Sequence, residues 1–286
     1  MEFSYKGKII FSLIVLLLGY SCTNSTLDFS GFFYSTDKID SRFDDSQTWN
    51  QVHPFKNIVS TSDDYKLLVA ADSHVGGLEH IDSFIQEALK PSYLAYVLVG
   101  DMVTGKSADY TKLDNFLPKY DVKPRFLMAG NHELYFGGWQ SFKNLWGTSI
   151  YYFTISTPSD SDLYICLDSG SGTLGDKQLA WLKNVLKETR PSYRNCVVFT
   201  HVNFFRNRHT GSTNPLVPEI EILIDLFAKS NVDMVLMGHD HVRSLNNFGK
   251  TTYVTMDGLL DDNPNASYVI LQVAGGKLDY AFKSIK

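Results

Sequence analysis

Side chains able to hold metal ions recur at one kind of place in this sequence, directly after short apolar runs. Residues 66–71 lead into Asp72-Ser73-His74, 94–99 into Gly100-Asp101, and 124–129 into Gly130-Asn131-His132-Glu133. Residues 195–200 lead into His201, and 232–237 into Gly238-His239-Asp240-His241. Five of the chain's eight histidines fall at these endings. On an extended chain His239 and His241, two apart, would project to the same side. Imidazole, carboxylate and carboxamide oxygen together suit divalent first-row metals. No cysteine belongs to the set, which argues against a structural zinc site. The seven candidates, Asp72, His74, Asp101, Asn131, His201, His239 and His241, are too many for one tetrahedral ion and suit two ions sharing a carboxylate.

The elements that must position these residues are legible from patterning. The runs at 66–71, 94–99 and 124–129 read as buried strands. Between the first two, Leu78, Ile81, Ile85 and Leu89 mark an amphipathic helix that Pro91 closes, and a helix at 108–120 follows the second. Strand and helix alternating at this spacing is the rhythm of a parallel, covered sheet, whose strand tips would gather the polar residues along one edge. Residues 151–155 and 163–167 read as an antiparallel pair. A helix opens at Gly175-Asp176, with Leu179, Leu182 and Leu186 on one face, and stops before Pro191. After His201 a polar loop runs to Asn214; its Arg206, Arg208 and His209 could reach a substrate phosphate but read rather as an ordinary solvated loop. A helix at 218–230 precedes the strand that opens the last motif. Runs at 251–256, 268–273 and 278–282 read as a second sheet. His53 reads as structural or exposed, and His80 as solvated. The aromatics flanking the motifs, Tyr135, Phe136, Trp139, Phe204 and Phe205, read as core or pocket wall.

With 286 residues, 44% of them hydrophobic, the composition is that of a globular protein long enough for one large domain or two small ones. A net charge of -5 gives no basic face for a nucleic-acid duplex. Residues 1–22 read as a signal peptide: Lys6 and Lys8, a short apolar core, then Gly19-Tyr20-Ser21-Cys22, which is similar to a bacterial lipoprotein box with Cys22 as the lipidated residue. Residues 23–62 then form a tether and an aromatic N-terminal segment packed on the surface or folded as a short hairpin and helix. Residues 63–286 form the main domain. Cys166 and Cys196 lie in apolar runs and read as buried free thiols.

The ordered blocks Asp72-x-His74, Gly100-Asp101, Gly130-Asn131-His132-Glu133, His201 and Gly238-His239-x-His241 resemble the calcineurin-like metallophosphoesterase family. Five blocks in order are specific where each alone is weak. The resemblance implies an α/β fold, a four-layer sandwich of two mixed sheets flanked by helices. It also implies two divalent ions (Mn, Fe, Zn or Co), a bridging hydroxide as nucleophile and a small phosphate mono- or diester as substrate. By position, Asp72, His74 and His241 would hold one ion, Asn131, His201 and His239 the other, and Asp101 both. His132 would be the general acid, and Glu133 would orient a neighbour. Purple acid phosphatases, one branch of the family, have a tyrosine ligand where Thr104 stands here, so that branch is not indicated. The implied protein is an exported hydrolase, membrane-anchored through Cys22. The rival reading is a non-catalytic surface lipoprotein that uses the same fold to bind.

Overall fold

The computed structural model describes residues 37–54, 57–206 and 213–285. The expected signal peptide, Cys22 and the tether, and Arg208 and His209 of the polar loop, lie outside the described residues. Among the described residues twelve strands form two sheets. The first strands are β1 (Asn57–Val59), β2 (Tyr65–Ala70), β3 (Ala95–Val99), β4 (Arg125–Met128), β5 (Tyr151–Ser156) and β6 (Ser161–Leu167). The others are β7 (Cys196–Thr200), β8 (Met234–Met237), β9 (Ser244–Phe248), β10 (Thr251–Thr255), β11 (Ser267–Ala274) and β12 (Lys277–Ser284). One sheet runs β1-β5-β6-β7-β8-β10-β9, the other β12-β11-β2-β3-β4. Both are mixed: β2, β3 and β4 are parallel, as are β6, β7, β8 and β10, while β9, β11 and β12 pair antiparallel.

The described residues form six α-helices: α1 (Ile39–Val52), α2 (Glu79–Ala88), α3 (Ser107–Phe116), α4 (Gly138–Trp146), α5 (Gly175–Asn184) and α6 (Val217–Lys229). None of the described helices is long and apolar enough to cross a membrane. The period of two along each strand divides the core. Leu67 and Val69 of β2 face the inter-sheet core with Phe153, Tyr164, Phe199 and Leu236. Leu68 and Ala70 face outward onto Ile81, Phe84 and Ile85 of α2 and Trp139 and Phe142 of α4. On the far side, Ile165, Val198 and Val235 pack on Leu182 of α5 and on Leu223 and Phe227 of α6. Helix, sheet, sheet, helix is the four-layer arrangement that the family resemblance implied.

Three expectations need correction. The polar strand tips do not share one sheet: β2, β3 and β4 belong to one, β7 and β8 to the other. The three late runs do not form a separate sheet either. β10 extends the larger sheet beside β8, and β11 brings β12 onto β2 in the smaller. Sheet membership depends on pairing across long sequence separations, which local patterning does not encode. Helix α3 also stops at Phe116, before Pro118, rather than running on to residue 120.

Candidate metal centre

The C-terminal ends of β2, β3, β4, β7 and β8 meet where the two sheets face each other, and the chain turns sharply at each end. Seven described non-glycine residues have left-handed φ, and five of them are Asp72 (57°), His74 (38°), Asp101 (48°), His239 (75°) and His241 (57°). Such conformations are costly for a histidine and persist only where the surroundings impose them. Gly100 makes one of these turns possible. Its φ is 77°, and a Cβ there would stand 2.7 Å from His201 Nδ1 and 2.8 Å from the Gly130 backbone.

The donor atoms form two groups. His241 Nε2 lies 3.2 Å from His74 Nε2 and 3.3 Å from Asp72 Oδ1. His201 Nε2 lies 3.3 Å from both Asn131 Oδ1 and His239 Nδ1 and 3.2 Å from Asp101 Oδ2. Asp101 Oδ2 also stands 3.7 Å from His74 Nε2, so one carboxylate oxygen lies between the groups. Neighbouring ligands held at ~2.1 Å from a common ion would be separated by roughly 3.0–3.4 Å. The spacings of 3.2–3.3 Å match, and the convergence of lone-pair donors suits divalent cations. His132 Nε2 is 3.9 Å from Asp101 Oδ2, within reach of the same centre.

The last motif differs from its sequence reading in one respect. β8 ends at Met237, and the left-handed turns at His239 and His241 replace the extended chain that would have aimed both rings one way. The two imidazoles diverge, His239 to the group around His201 and His241 to the group around His74. Between them Asp240 faces away, accepting a hydrogen bond from Asn203 Nδ2 (2.8 Å) and pairing with Arg206 Nε (3.0 Å).

Neighbouring groups orient the donors. His201 Nδ1–H donates to the Val99 carbonyl at 2.9 Å, which leaves Nε2 as the lone-pair donor. His239 Nε2 lies 2.8 Å from the Thr213 carbonyl, which directs its Nδ1 at His201. Asp72 accepts the His239 N–H at 2.9 Å, and Asp101 Oδ1 accepts the His132 N–H at 2.8 Å, leaving Oδ2 for the centre. His132 Nδ1 donates to the Thr104 carbonyl at 3.2 Å. Glu133 accepts four backbone N–H groups: Asp101 (2.8 Å) and Gly130 (2.7 Å) at Oε2, Met102 (2.7 Å) and Val103 (3.1 Å) at Oε1. It thereby ties the turn after β3 to the turn after β4.

The electrostatics favour cation binding. Burial, followed by the charge on His132, lowers His74 to about 3. Burial and His201 lower His239 to about 4, so both rings are neutral donors at pH 7. Burial opposes charge on His201 as well, but the Asp101 and Asp72 carboxylates outweigh it and raise His201 to about 10. Burial would raise Asp101 too, yet the imidazoles of His201 and His132 hold it well below the usual carboxylate range. Burial and the Asp101 charge push Glu133 up to about 8, against the pull of its N–H donors.

Arg206, read from sequence as solvated, is buried with only 2% of its side chain exposed. It lies against His239 and Asp240 and donates to the Thr213 carbonyl. A polar loop gave no sign of this, because the partner Asp240 lies far along the chain. His80 is likewise half-buried, with its Nδ1 donating to the Leu260 carbonyl at 2.6 Å. The carbonyls of Val99, Thr104 and Thr213 carry no side-chain signal and were not foreseen.

The chain belongs to the calcineurin-like phosphoesterase family, which it matches over residues 65–243. It is therefore a hydrolase of phosphoric ester bonds. Solved structures of similar fold include a dimetal phosphatase from Danio rerio, 12% identical over 77% of this chain and 98% of that one, with a TM-score of 0.56. Another is GAP50, the anchor in the inner membrane complex of Plasmodium, 12% identical over 77% and 84% of the two chains, with a TM-score of 0.60. No curated protein matches the chain in sequence.

Proposed function

We propose that this protein hydrolyses small phosphate mono- or diesters at a dinuclear centre of divalent ions (Mn, Fe, Zn or Co). The observation that carries the reading is the position of Asp101 Oδ2, 3.7 Å from His74 Nε2 and 3.2 Å from His201 Nε2, between the two donor groups. Asp72, His74 and His241 would hold one ion, Asn131, His201 and His239 the other, and Asp101 would serve both. When bound, the ions activate water and neutralise phosphate charge. The chain's own residues do the rest. His132, oriented by the Thr104 carbonyl, keeps Nε2 toward the centre and protonates the leaving oxygen. Glu133 holds the Asp101 turn. The rival reading of a non-catalytic binding module is not favoured, because every residue of the expected donor set and His132 are present.

Metal-stripped residues 23–286, reloaded separately with Mn, Zn, Fe and Co, should hydrolyse p-nitrophenyl phosphate or bis-p-nitrophenyl phosphate only when loaded. Equal turnover by the stripped and loaded protein would sink the reading. We also infer export with a lipid anchor at Cys22, supported by Lys6, Lys8 and the apolar run before the cysteine. Cys22→Ser should move the protein out of the membrane fraction of its cell. An unchanged distribution would count against the anchor.

A further inference from the structure

The turn after β4 contains a residue that hydrogen-bonds a donor of one of the two groups. Asn131 and Tyr135 bracket the start of a 3-10 turn at His132–Gly137, and both are buried, with exposures of 2% and 5%. Asn131 Nδ2 donates to the Tyr135 hydroxyl at 2.8 Å, while Asn131 Oδ1 points at His201 Nε2. A carboxamide has lone pairs at its oxygen and none at its nitrogen, so only one of its two orientations can serve a cation. The hydroxyl engages the nitrogen end and leaves the oxygen end for the centre.

Tyr135 is itself held in place. The turn breaks at this residue (φ -67°, ψ 146°), and Phe136 follows in a left-handed conformation (φ 56°) that a bulky residue adopts only when imposed. Gly105 lies against the tyrosine, where a Cβ would stand 2.9 Å from Tyr135 Cβ. The aromatic ring packs 4.6 Å from the His132 ring.

We propose that Tyr135 is a positioning residue for the metal position formed by Asn131, His201 and His239, acting through the orientation of the Asn131 carboxamide. This inference rests on the dinuclear reading above. The test is a titration of the metal-stripped full chain with Mn²⁺, read by bound metal per chain and by electron paramagnetic resonance. Wild type should take up two ions and give an exchange-coupled spectrum. Tyr135→Phe should bind the first ion as wild type does and the second about 10–100-fold more weakly, the range for losing a group that orients a ligand. At one equivalent or slightly above, its spectrum should be that of isolated Mn²⁺. Tyr164→Phe removes a buried hydroxyl that bonds Tyr65 away from the centre, and should leave both affinities unchanged. Unchanged binding in Tyr135→Phe, equal weakening of both ions, or the same loss in Tyr164→Phe would overturn the proposal. Fewer than two ions in wild type would overturn the dinuclear reading, and this inference with it.

Discussion

Asp101→Asn should lower kcat/KM by about a thousandfold or more in the metal-loaded protein, the scale of losing several kcal/mol of metal-assisted charge stabilisation. The substitution is nearly isosteric, and asparagine tolerates the left-handed backbone at this position (φ 48°), so the turn after β3 should persist. The carboxamide nevertheless cannot reproduce the carboxylate in either orientation. If its oxygen keeps the hydrogen bond from the His132 N–H, now 2.8 Å, the amino group faces the centre without a lone pair. If it flips, the amino group meets the His132 N–H and a buried donor loses its acceptor. Charge is lost in both cases, between two groups that the proposed mechanism makes share this oxygen. Metal per chain should fall together with activity. A variant that retains two ions and turns over within tenfold of wild type would show that Asp101 does not serve both positions.

The residues that meet at this centre were legible because each follows a run of buried residues. An apolar run that ends abruptly in Asp, Asn or His marks both the strand and its tip. The strands at 65–70, 95–99, 196–200 and 234–237 fall within a residue or two of the runs that marked them. What was not legible depends on contacts between distant parts of the chain. Nothing near residue 251 says that β10 pairs with β8 rather than with β11. The left-handed turns at His239 and His241 were hidden for a different reason. Sequence spacing assumes an extended chain, and the backbone departs from it where Asp72 captures the His239 N–H, 167 residues away along the chain. Arg206 shows the same limit: an arginine in a polar loop reads as solvated until Asp240 is brought beside it. Tyr135 reads from sequence as core or pocket wall, but its hydroxyl contact with Asn131 depends on a break in the turn that composition does not encode.

Arg42→Ala should lower the unfolding free energy of the metal-free protein by about 3–5 kcal/mol, the cost of removing one partner from a buried ion pair. A domain's whole margin is about 5–15 kcal/mol, so the change is large. Arg42 lies on α1, ahead of the stretch that matches the family, and it is fully buried. Its Nε and Nη2 donate to the two Asp168 carboxylate oxygens at 2.8 and 3.0 Å, the paired geometry that suits arginine. Further donations go to Ser171 Oγ (3.0 Å) and the Asp37 carbonyl (2.8 Å). Asp168 follows β6 and accepts the Gly170 N–H at 3.1 Å. Gly170 in turn leaves no room for a Cβ beside the Gly130 carbonyl. Ser169 accepts hydrogen bonds from Thr200 and from Val202, the residues either side of His201, each at 2.9 Å. The ion pair thus supports the turns that carry Asn131 and His201. Without the guanidinium, the Asp168 charge is left buried and only partly satisfied. Arg42→Met combined with Asp168→Leu should recover much of the stability, because two apolar groups leave no buried charge uncompensated. Arg42→Lys should fall between wild type and Arg42→Ala, since an ammonium lacks the planar fork that meets both oxygens. Denaturant unfolding of the four proteins tests this order, and a loss below about 1 kcal/mol in Arg42→Ala would refute a structural role for the pair. The same argument applies to the chain shortened to begin at Asn57. That chain keeps the whole family-matching stretch and Asp168 but has no Arg42, so it should be destabilised at least as much as Arg42→Ala.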